Sequence, residues 1–300
     1  MLISFFTTPL AFPFMQRAFV EAILIGILCG AVGSFMVLRG LAFIADALSH
    51  AIFPGVVIAY LNKIPVQVGA LAFGVLTALG IAVLARNRKV SEDTSIGIVF
   101  AGFFALGVVL ISTVKSYIAD LNSFLFGHVL AVSYGDIALT AAVGAAILLA
   151  IVLLYKELTF ASFDAASAQA QGLPVFALDL LLLVLLTMTI ILALTAVGII
   201  LVLALLITPA ATARLLVNRL STMMLAGAAL GALAAILGTY VAYYGKLAPG
   251  GTMVLVSTLL FVLVFAFSSR GGAVAWLARR RTPVRASARS YSPSRSSAGR

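Results

Sequence analysis

The chain alternates long hydrophobic segments with short polar ones along almost its whole length. Each hydrophobic segment has about 20 residues, the length that a helix needs to cross the hydrocarbon core of a bilayer. Nine such segments are predicted, at 18–38, 41–61, 65–85, 95–113, 133–154, 174–194, 196–213, 222–243 and 252–269. The boundary near 195 is the least marked, and Gly198 supports it. The pattern predicts an all-α polytopic membrane bundle of about eight or nine transmembrane helices.

The composition supports a membrane protein and excludes a large soluble one. The chain is 63% hydrophobic and only 9% charged, whereas soluble domains contain about 25% charged residues. So few polar residues could not cover the outside of a large helical core in water. We expect an N-terminal segment at 1–16 that lies at the membrane surface, a transmembrane domain at 17–269, and a tail at 270–300.

The net charge of +10 comes largely from that tail, which contains eight arginines and no acid. Its Arg, Ser and Pro residues have no apolar face, which predicts disorder and contact with anionic lipid rather than with nucleic acid. If the tail is cytoplasmic, alternation of the spans places seven further basic residues inside and four outside. The positive-inside rule then predicts a cytoplasmic C-terminus, and we expect a multi-pass protein of the plasma membrane.

Two segments between the spans are predicted to form short helices. Residues 115–132, on the outer side, are too polar to span and too apolar for a plain loop, which indicates a re-entrant or interfacial helix. In the cytoplasmic segment 156–174, Ser162 or Asp164 can cap a short helix that Gly172 ends. Because this helix is rich in Ala and Ser, it suits a groove on another protein. The alternative is a loop with incidental helix propensity.

The second predicted span contains a carboxylate at Asp46 and an imidazole at His50. Residues four apart share a helix face, and at about 1.5 Å per residue the pair lies about 8–14 Å into the bilayer. A charge at such depth costs at least about 2.5–3.5 kcal/mol. Pro54 is expected to break the helix, since it cannot donate an N–H to the carbonyl of His50. Nitrogen and oxygen donors suit Zn, Mn or Fe, and a two-fold dimer would bring four of them together. The alternative is polar bonding to neighbouring helices.

Further polar residues are candidates for a cation pathway. Ser49 lies next to the pair in sequence, and His128 and Asp120, on the outer face, could help cations to enter. Asp179 lies near the start of its span, where it could line a pathway or pair with a neighbouring helix. Asp136 is predicted to cap a helix.

Enzyme motifs are absent from the sequence. It contains no HExxH, and the "GK" at 245–246 lacks the glycine spacing of a Walker A loop. We therefore expect a non-enzymatic transport subunit without a permanently bound cofactor. If ATP drives transport, another chain must hydrolyse it.

Four segments resemble permeases of the manganese/zinc/iron ABC importers: "GSFMVLRGLAFIADALSHAIFPG" (33–55), "EDTSIGIVFAGFFALGVVLIS" (92–112), "LFGHVLAVS" (125–133) and "VGIILVLALLITPAATARLL" (197–216). The similarity runs in order over roughly residues 17–268. It implies a type II ABC importer fold with a permease homodimer, two cytoplasmic ATPase subunits and an extracytoplasmic metal-binding protein. The family's Asp and His in the cation path are matched by Asp46 and His50. The long basic tail departs from the family, as does Gly40, where a second basic residue is common.

The resemblance also implies that the helix at about 162–172 is the segment that docks into the ATPase. Its matched positions are Phe163, Asp164, Ala168, Gln171 and Gly172. The expected function is ATP-driven import of Mn, Zn or Fe ions, with ATP bound by the partner subunit. Two alternatives stay open. One is a type II permease for a metal chelate or vitamin, and the other is a secondary transporter that couples protons through Asp46 and Asp179.

Overall fold

The computed structural model describes residues 8–85, 89–113, 127 and 129–267. Within these residues the chain forms twelve α-helices and a one-turn 3₁₀ helix at Val129–Ala131. The helices are α1 (Pro13–Arg39), α2 (Ala42–Ala51), α3 (Phe53–Leu61), α4 (Val66–Ala85), α5 (Glu92–Ser112), α6 (Tyr134–Leu153), α7 (Tyr155–Phe163), α8 (Ala165–Ala170), α9 (Val175–Val197), α10 (Ile199–Leu216), α11 (Leu220–Gly245) and α12 (Pro249–Phe267). No strand occurs in these residues, so the all-α prediction is confirmed.

Eight helical segments in the described part of the chain are long and apolar enough to cross a membrane. Helices α2 and α3 together form one of them, Ala42–Leu61. The remaining predicted span, at 196–213, corresponds to α10, whose residues Leu201–Leu216 are classed as a shorter apolar helix. The prediction of a polytopic bundle with about eight or nine spans is therefore confirmed.

The two ends of α1 define two ends of the bundle, the Arg17 end and the Arg39 end. Arg39 contacts Asp179 near the start of α9, and Arg214 near the end of α10 donates a hydrogen bond of 2.8 Å to the carbonyl of Val37. These contacts place the start of α9 and the end of α10 together at the Arg39 end. Helix α10 therefore returns across the bundle, as a ninth span should.

Helix α1 lies at the centre of the bundle, where glycines bring it very close to α11. A Cβ atom added to Gly26 would collide with the backbone of Gly231, and one added to Gly30 would collide with the backbone of Gly227. Because no side chain separates the two backbones, this glycine seam fixes α1 against α11. Large buried side chains such as Phe35 fill the neighbouring core.

Polar caps determine where two of the spans begin. The hydroxyl of Ser91 accepts a hydrogen bond from the backbone N–H of Thr94, so α5 starts at Glu92, three residues before the predicted span. The sequence predicted Asp136 as the N-cap of α6, but the N-cap is Ser133. Asp136 lies three residues into a capping box, in which its carboxylate accepts from the Ser133 backbone N–H at 3.0 Å.

The predicted domain boundary after residue 16 falls inside a helix. Helix α1 starts at Pro13, because proline fits the first helical position, so residues 13–16 belong to the first span. Of the segment 115–132, the structure describes Gly127 and 129–132, including the buried Val129 of the 3₁₀ turn. The tail at 270–300 and residues 1–7 lie outside the described residues.

Candidate cation site

Asp46 and His50 lie side by side on α2, as their spacing predicts. The Nε2 atom of His50 is 3.7 Å from Oδ1 of Asp46, and the side chains are 31% and 44% exposed, respectively. At 3.7 Å the two groups are close but do not form a hydrogen bond. Within the described part of the chain, no group of three or more His, Cys, Asp or Glu residues could hold a metal ion. One copy of the chain therefore brings two donors to this site.

Two phenylalanines of α5 border the imidazole of His50. Its ring centroid lies 5.9 Å from those of both Phe100 and Phe104, and the two phenyl rings stack on each other at 6.0 Å. Phe104 also contacts Phe53, the first residue of α3. Sequence analysis did not include these rings, although their i, i+4 spacing indicates a shared helix face. They form an apolar wall on one side of an otherwise accessible pair.

Ser49 does not lie with the pair. It is 1% exposed, and its hydroxyl donates a hydrogen bond of 2.8 Å to the carbonyl of Ala45. Adjacent helical residues point about 100° apart, so Ser49 turns into the core while His50 stays on the accessible face. In one copy of the chain, the Ser49 side chain therefore faces the core and not the pair.

The predicted helix break occurs two residues before Pro54. Helix α2 ends at Ala51 and α3 begins at Phe53, with Ile52 between them. Ile52 keeps helical backbone angles, so the span continues through the break. Helix α5 comes very close at this point, since a Cβ atom on Gly107 would collide with the ring of Phe53. The break thus lies directly beside the helix that carries the phenylalanine wall.

Asp179 forms an ion pair with Arg39, and this pair lies on the side of α2 away from Asp46 and His50. Its Oδ1 atom lies 2.6 Å from Nη2 of Arg39, and the Arg39 and Asp179 side chains are 18% and 39% exposed, respectively. The ion pair borders a cavity of about 250 Å³ between α2, α4 and α9, which Ile44 of α2 also lines. Ile44 lies about 200° around the helix from Asp46. The structure thus separates Asp179 from the Asp46–His50 pair and supports its predicted role as a packing partner. His128 and Asp120 lie outside the described residues.

A buried acid that sequence analysis overlooked lies near the Arg17 end. Glu21 of α1 is 1% exposed, and its Oε1 accepts a hydrogen bond of 2.7 Å from the hydroxyl of Thr140 in α6. Its Oε2 has no hydrogen-bond partner in the described residues. Arg17, one turn earlier, covers the ring of Tyr134 instead. The sequence does contain a signal for this residue, because Glu21 is the single acid in the predicted span 18–38.

The predicted docking helix at 162–172 is divided in two by Asp164. Phe163 ends α7, and Asp164 caps α8 by accepting a hydrogen bond of 2.9 Å from the backbone N–H of Ser167. Hydrogen bonds from the Ser167 hydroxyl and backbone hold the pKa of Asp164 below its usual range. Ser162, the other predicted cap, donates its hydroxyl to the carbonyl of Leu158 instead.

Four of the five predicted docking residues are exposed, and one is not. Phe163 is 67% exposed, and Asp164, Gln171 and Gly172 are also on the surface. Ala168 is fully buried in the core of its own chain, so its side chain is not on the surface of the single chain. Gly172 has a φ of 85°, a left-handed conformation that favours glycine and ends the segment.

Comparison with known proteins gives consistent likenesses over nearly the whole chain. The model of the ABC 3 transport family matches residues 11–268. The manganese transport system membrane protein MntC of Halalkalibacterium halodurans is 44% identical over 278 residues, 92% of this chain and 95% of that protein. The manganese import system permease protein ScaB of Streptococcus parasanguinis is 44% identical over 85% of this chain and 90% of that protein. The solved structure of PsaBC from Streptococcus pneumoniae in complex with Fab has a TM-score of 0.83 and 40% identity, covering 93% of this chain and 100% of that chain.

Proposed function

The chain belongs to the ABC 3 transport family, and from that premise we propose that it is the permease through which an ATP-driven importer moves Mn²⁺ into the cell. The predicted resemblance to metal ABC importer permeases is confirmed. The observation that carries the proposal is the Asp46–His50 pair, whose donors lie 3.7 Å apart on an accessible helix face within a membrane span. A nitrogen and an oxygen donor in such a position suit a passing divalent transition-metal ion.

Orientation follows from the distribution of basic residues. Among the described residues, the Arg39 end or the loops that adjoin it contain Arg39, Lys89, Lys156, Arg214 and Arg219, and the opposite end contains Arg17, Lys63 and Lys246. By the positive-inside rule the Arg39 end is cytoplasmic. The arginine tail that follows α12 is then cytoplasmic too, where it contacts anionic lipid.

A second copy of the chain completes the site. Two donors are too few to hold a metal ion, and a two-fold axis near α2 would bring two carboxylates and two imidazoles together. The α2 and α5 face supports such contact, because Phe43 and Phe104 are 49% and 40% exposed on the single chain. The permease therefore works as a homodimer.

Partner subunits supply the energy and deliver the ion. Exposed residues around α8, at the cytoplasmic end, dock into two ATPase subunits, since a short capped helix ending in a glycine turn fits a groove. At the opposite end, an extracytoplasmic metal-binding protein docks near residues 244–251. ATP-driven closure of the ATPase subunits then moves α8 and the helices attached to it.

Manganese is the favoured ion because the named relatives MntC and ScaB are manganese permeases. The donor chemistry alone would also accept Zn²⁺ or Fe²⁺. The proton-coupled alternative lacks its second acid, since Asp179 pairs with Arg39 on the other side of α2. The chelate alternative would require the intact complex to be transported.

The direct test is uptake by the purified permease, ATPase and binding protein in proteoliposomes. We expect Asp46→Ala and His50→Ala each to reduce ATP-dependent Mn²⁺ uptake at least about tenfold, because even the residues that support metal ligands are worth about 10–100-fold. Ser49→Ala is the matched control, because the Ser49 side chain is buried away from the pair, and it should retain near-normal uptake. Normal uptake by both site variants would overturn the proposal. A panel with Zn²⁺, Fe²⁺ and a chelated metal identifies the cargo.

A further inference from the structure

An ion pair at the Arg39 end joins two elements that are far apart in sequence. Nη2 of Arg39 lies 2.6 Å from Oδ1 of Asp179, which is a short, charge-assisted hydrogen bond. The two residues are 140 positions apart. The pair therefore fastens the end of α1 to the start of α9.

On one side, the pair lies beside the helix that carries the candidate cation site. Arg39 is the last residue of α1, and Gly40 follows with a left-handed φ of 70° before α2 begins at Ala42. Asp46 lies little more than one helical turn into α2. The bond from Arg214 to the Val37 carbonyl also anchors the end of α1. The ion pair thus lies at the junction where α1 ends and α2 begins.

On the other side, the pair lies beside the segment proposed to dock the ATPase. Asp179 is in the second turn of α9, nine residues after the end of α8. The backbone N–H of Leu173 donates a hydrogen bond of 3.1 Å to the carbonyl of Ala168, which is fully buried. Because this bond ties α8 to the start of α9, a displacement of α8 moves Asp179 with it.

The surroundings of the pair leave room for movement of α2. A cavity of about 250 Å³ separates α2, α4 and α9 beside the pair. Ile44 lines the cavity, whereas Asp46 and His50 lie on the opposite face of α2. The ion pair can therefore shift α2 without contacting the ion. Such partly exposed pairs contribute little to stability, so stability alone is a weak reason for this geometry.

We propose that the Arg39–Asp179 pair transmits the displacement of α8 to α2 and so repositions Asp46 and His50 during transport. Arg39 and Asp179 are positioning residues in this role. The inference rests on the proposed function, because that function places the ATPase at α8 and the ion at the Asp46–His50 pair.

Two double variants and one single variant distinguish a transmitting role of the ion pair from a purely structural one. R39Q/D179N removes both charges and leaves neither one unpaired. R39D/D179R restores an ion pair with the charges reversed. R219Q is the matched control, since it removes an exposed arginine at the same end whose side chain caps nothing.

Mn²⁺ uptake and ATP hydrolysis are measured on the same reconstituted complex. We expect R39Q/D179N to hydrolyse ATP at nearly the wild-type rate but to import about tenfold less Mn²⁺ per ATP, within the range of typical coupling between sites. R39D/D179R should recover only part of the loss, because the reversed charges oppose the dipoles of α1 and α9. R219Q should match the wild type. If uptake and hydrolysis fall together with thermal stability, or neither changes, the pair is not a transmitting link.

A second readout is independent of the transported ion. Phe43→Cys places a thiol on the face of α2 that is proposed to meet the second copy, where its accessibility reports movement of α2, and the native Cys29 is buried and gives little background. Trapping the complex with ATP and vanadate should change the labelling rate of this thiol, and R39Q/D179N should abolish that change. A change that persists in R39Q/D179N overturns the inference. If labelling depends on the pair while the wild type imports no Mn²⁺, the proposed function fails and the link stands.

Discussion

Asp46 and Asp179 are two carboxylates near α2 with almost the same exposure and different surroundings. Their side chains are 44% and 39% exposed. Asp179 has a guanidinium at 2.6 Å, whereas the only charged or titratable partner of Asp46 among the described residues is an imidazole at 3.7 Å. Burial therefore does not distinguish the two acids, but the partner does. A carboxylate neutralised by its own chain holds helices together, and one left without a firm partner is available to an incoming cation.

The largest expected effect contrasts these two acids in metal binding. Asp46→Asn should weaken Mn²⁺ binding to the assembled complex about 100-fold, since supporting residues alone are worth about 10–100-fold at metal sites. Asp179→Asn should change the affinity by less than about threefold, because Asp179 lies on the other side of α2. Titration of each purified complex with Mn²⁺ measures both values. Equal losses in the two variants would remove the distinction drawn between the acids.

Glu21 is a third acid to compare with Asp46 and Asp179, and its side chain is almost completely buried. Thr140→Val removes the hydroxyl that donates to Glu21, and leaving a buried acceptor unsatisfied costs about 1–3 kcal/mol. We expect a clearly lower melting temperature for this variant. Thr77→Val is the matched control, since the buried Thr77 hydroxyl bonds only to the carbonyl of Phe73 in its own helix. A melting temperature no lower than that of the control would contradict a structural role for the Glu21–Thr140 bond.

The smallest expected effect concerns Asp164, whose carboxylate accepts its hydrogen bonds from Ser167, three residues later in the chain. Asp164→Ala should destabilise α8 through loss of the N-cap, whereas Asp164→Ser keeps a capping oxygen. Hydrogen exchange at the Ser167 amide measures the difference. Hydrogen bonds lower the pKa of Asp164, so its ionised carboxylate stabilises α8 fully at any pH above the ordinary carboxyl pKa of about 3.9. This stabilisation is lost as the pH falls through the lowered pKa of the folded protein. Protection that declines between pH 7 and pH 5 would contradict this account.

Local features of the fold and the site could be predicted from the sequence. Hydropathy located the spans because each helix must match the thickness of the bilayer. The i, i+4 spacing placed Asp46 and His50 on one face because helical geometry depends only on neighbouring residues. The break before Pro54 followed from the missing N–H of proline.

Contacts between distant segments could not be predicted in the same way. Arg39 and Asp179 are 140 positions apart, and Glu21 and Thr140 are 119 apart, so their pairing depends on how the helices pack. The burial of Ser49 and Ala168 could not be predicted either, because the sequence does not show which faces of α2 and α8 meet the core.

Pulsed EPR on Mn²⁺ bound to the permease–ATPase complex without the binding protein shows directly whether His50 and Asp46 hold the passing ion. We expect nitrogen modulation from an imidazole coordinated to Mn²⁺, which disappears in His50→Ala and persists in Ser49→Ala. Bound Mn²⁺ without nitrogen modulation, or modulation that survives in His50→Ala, would contradict this expectation.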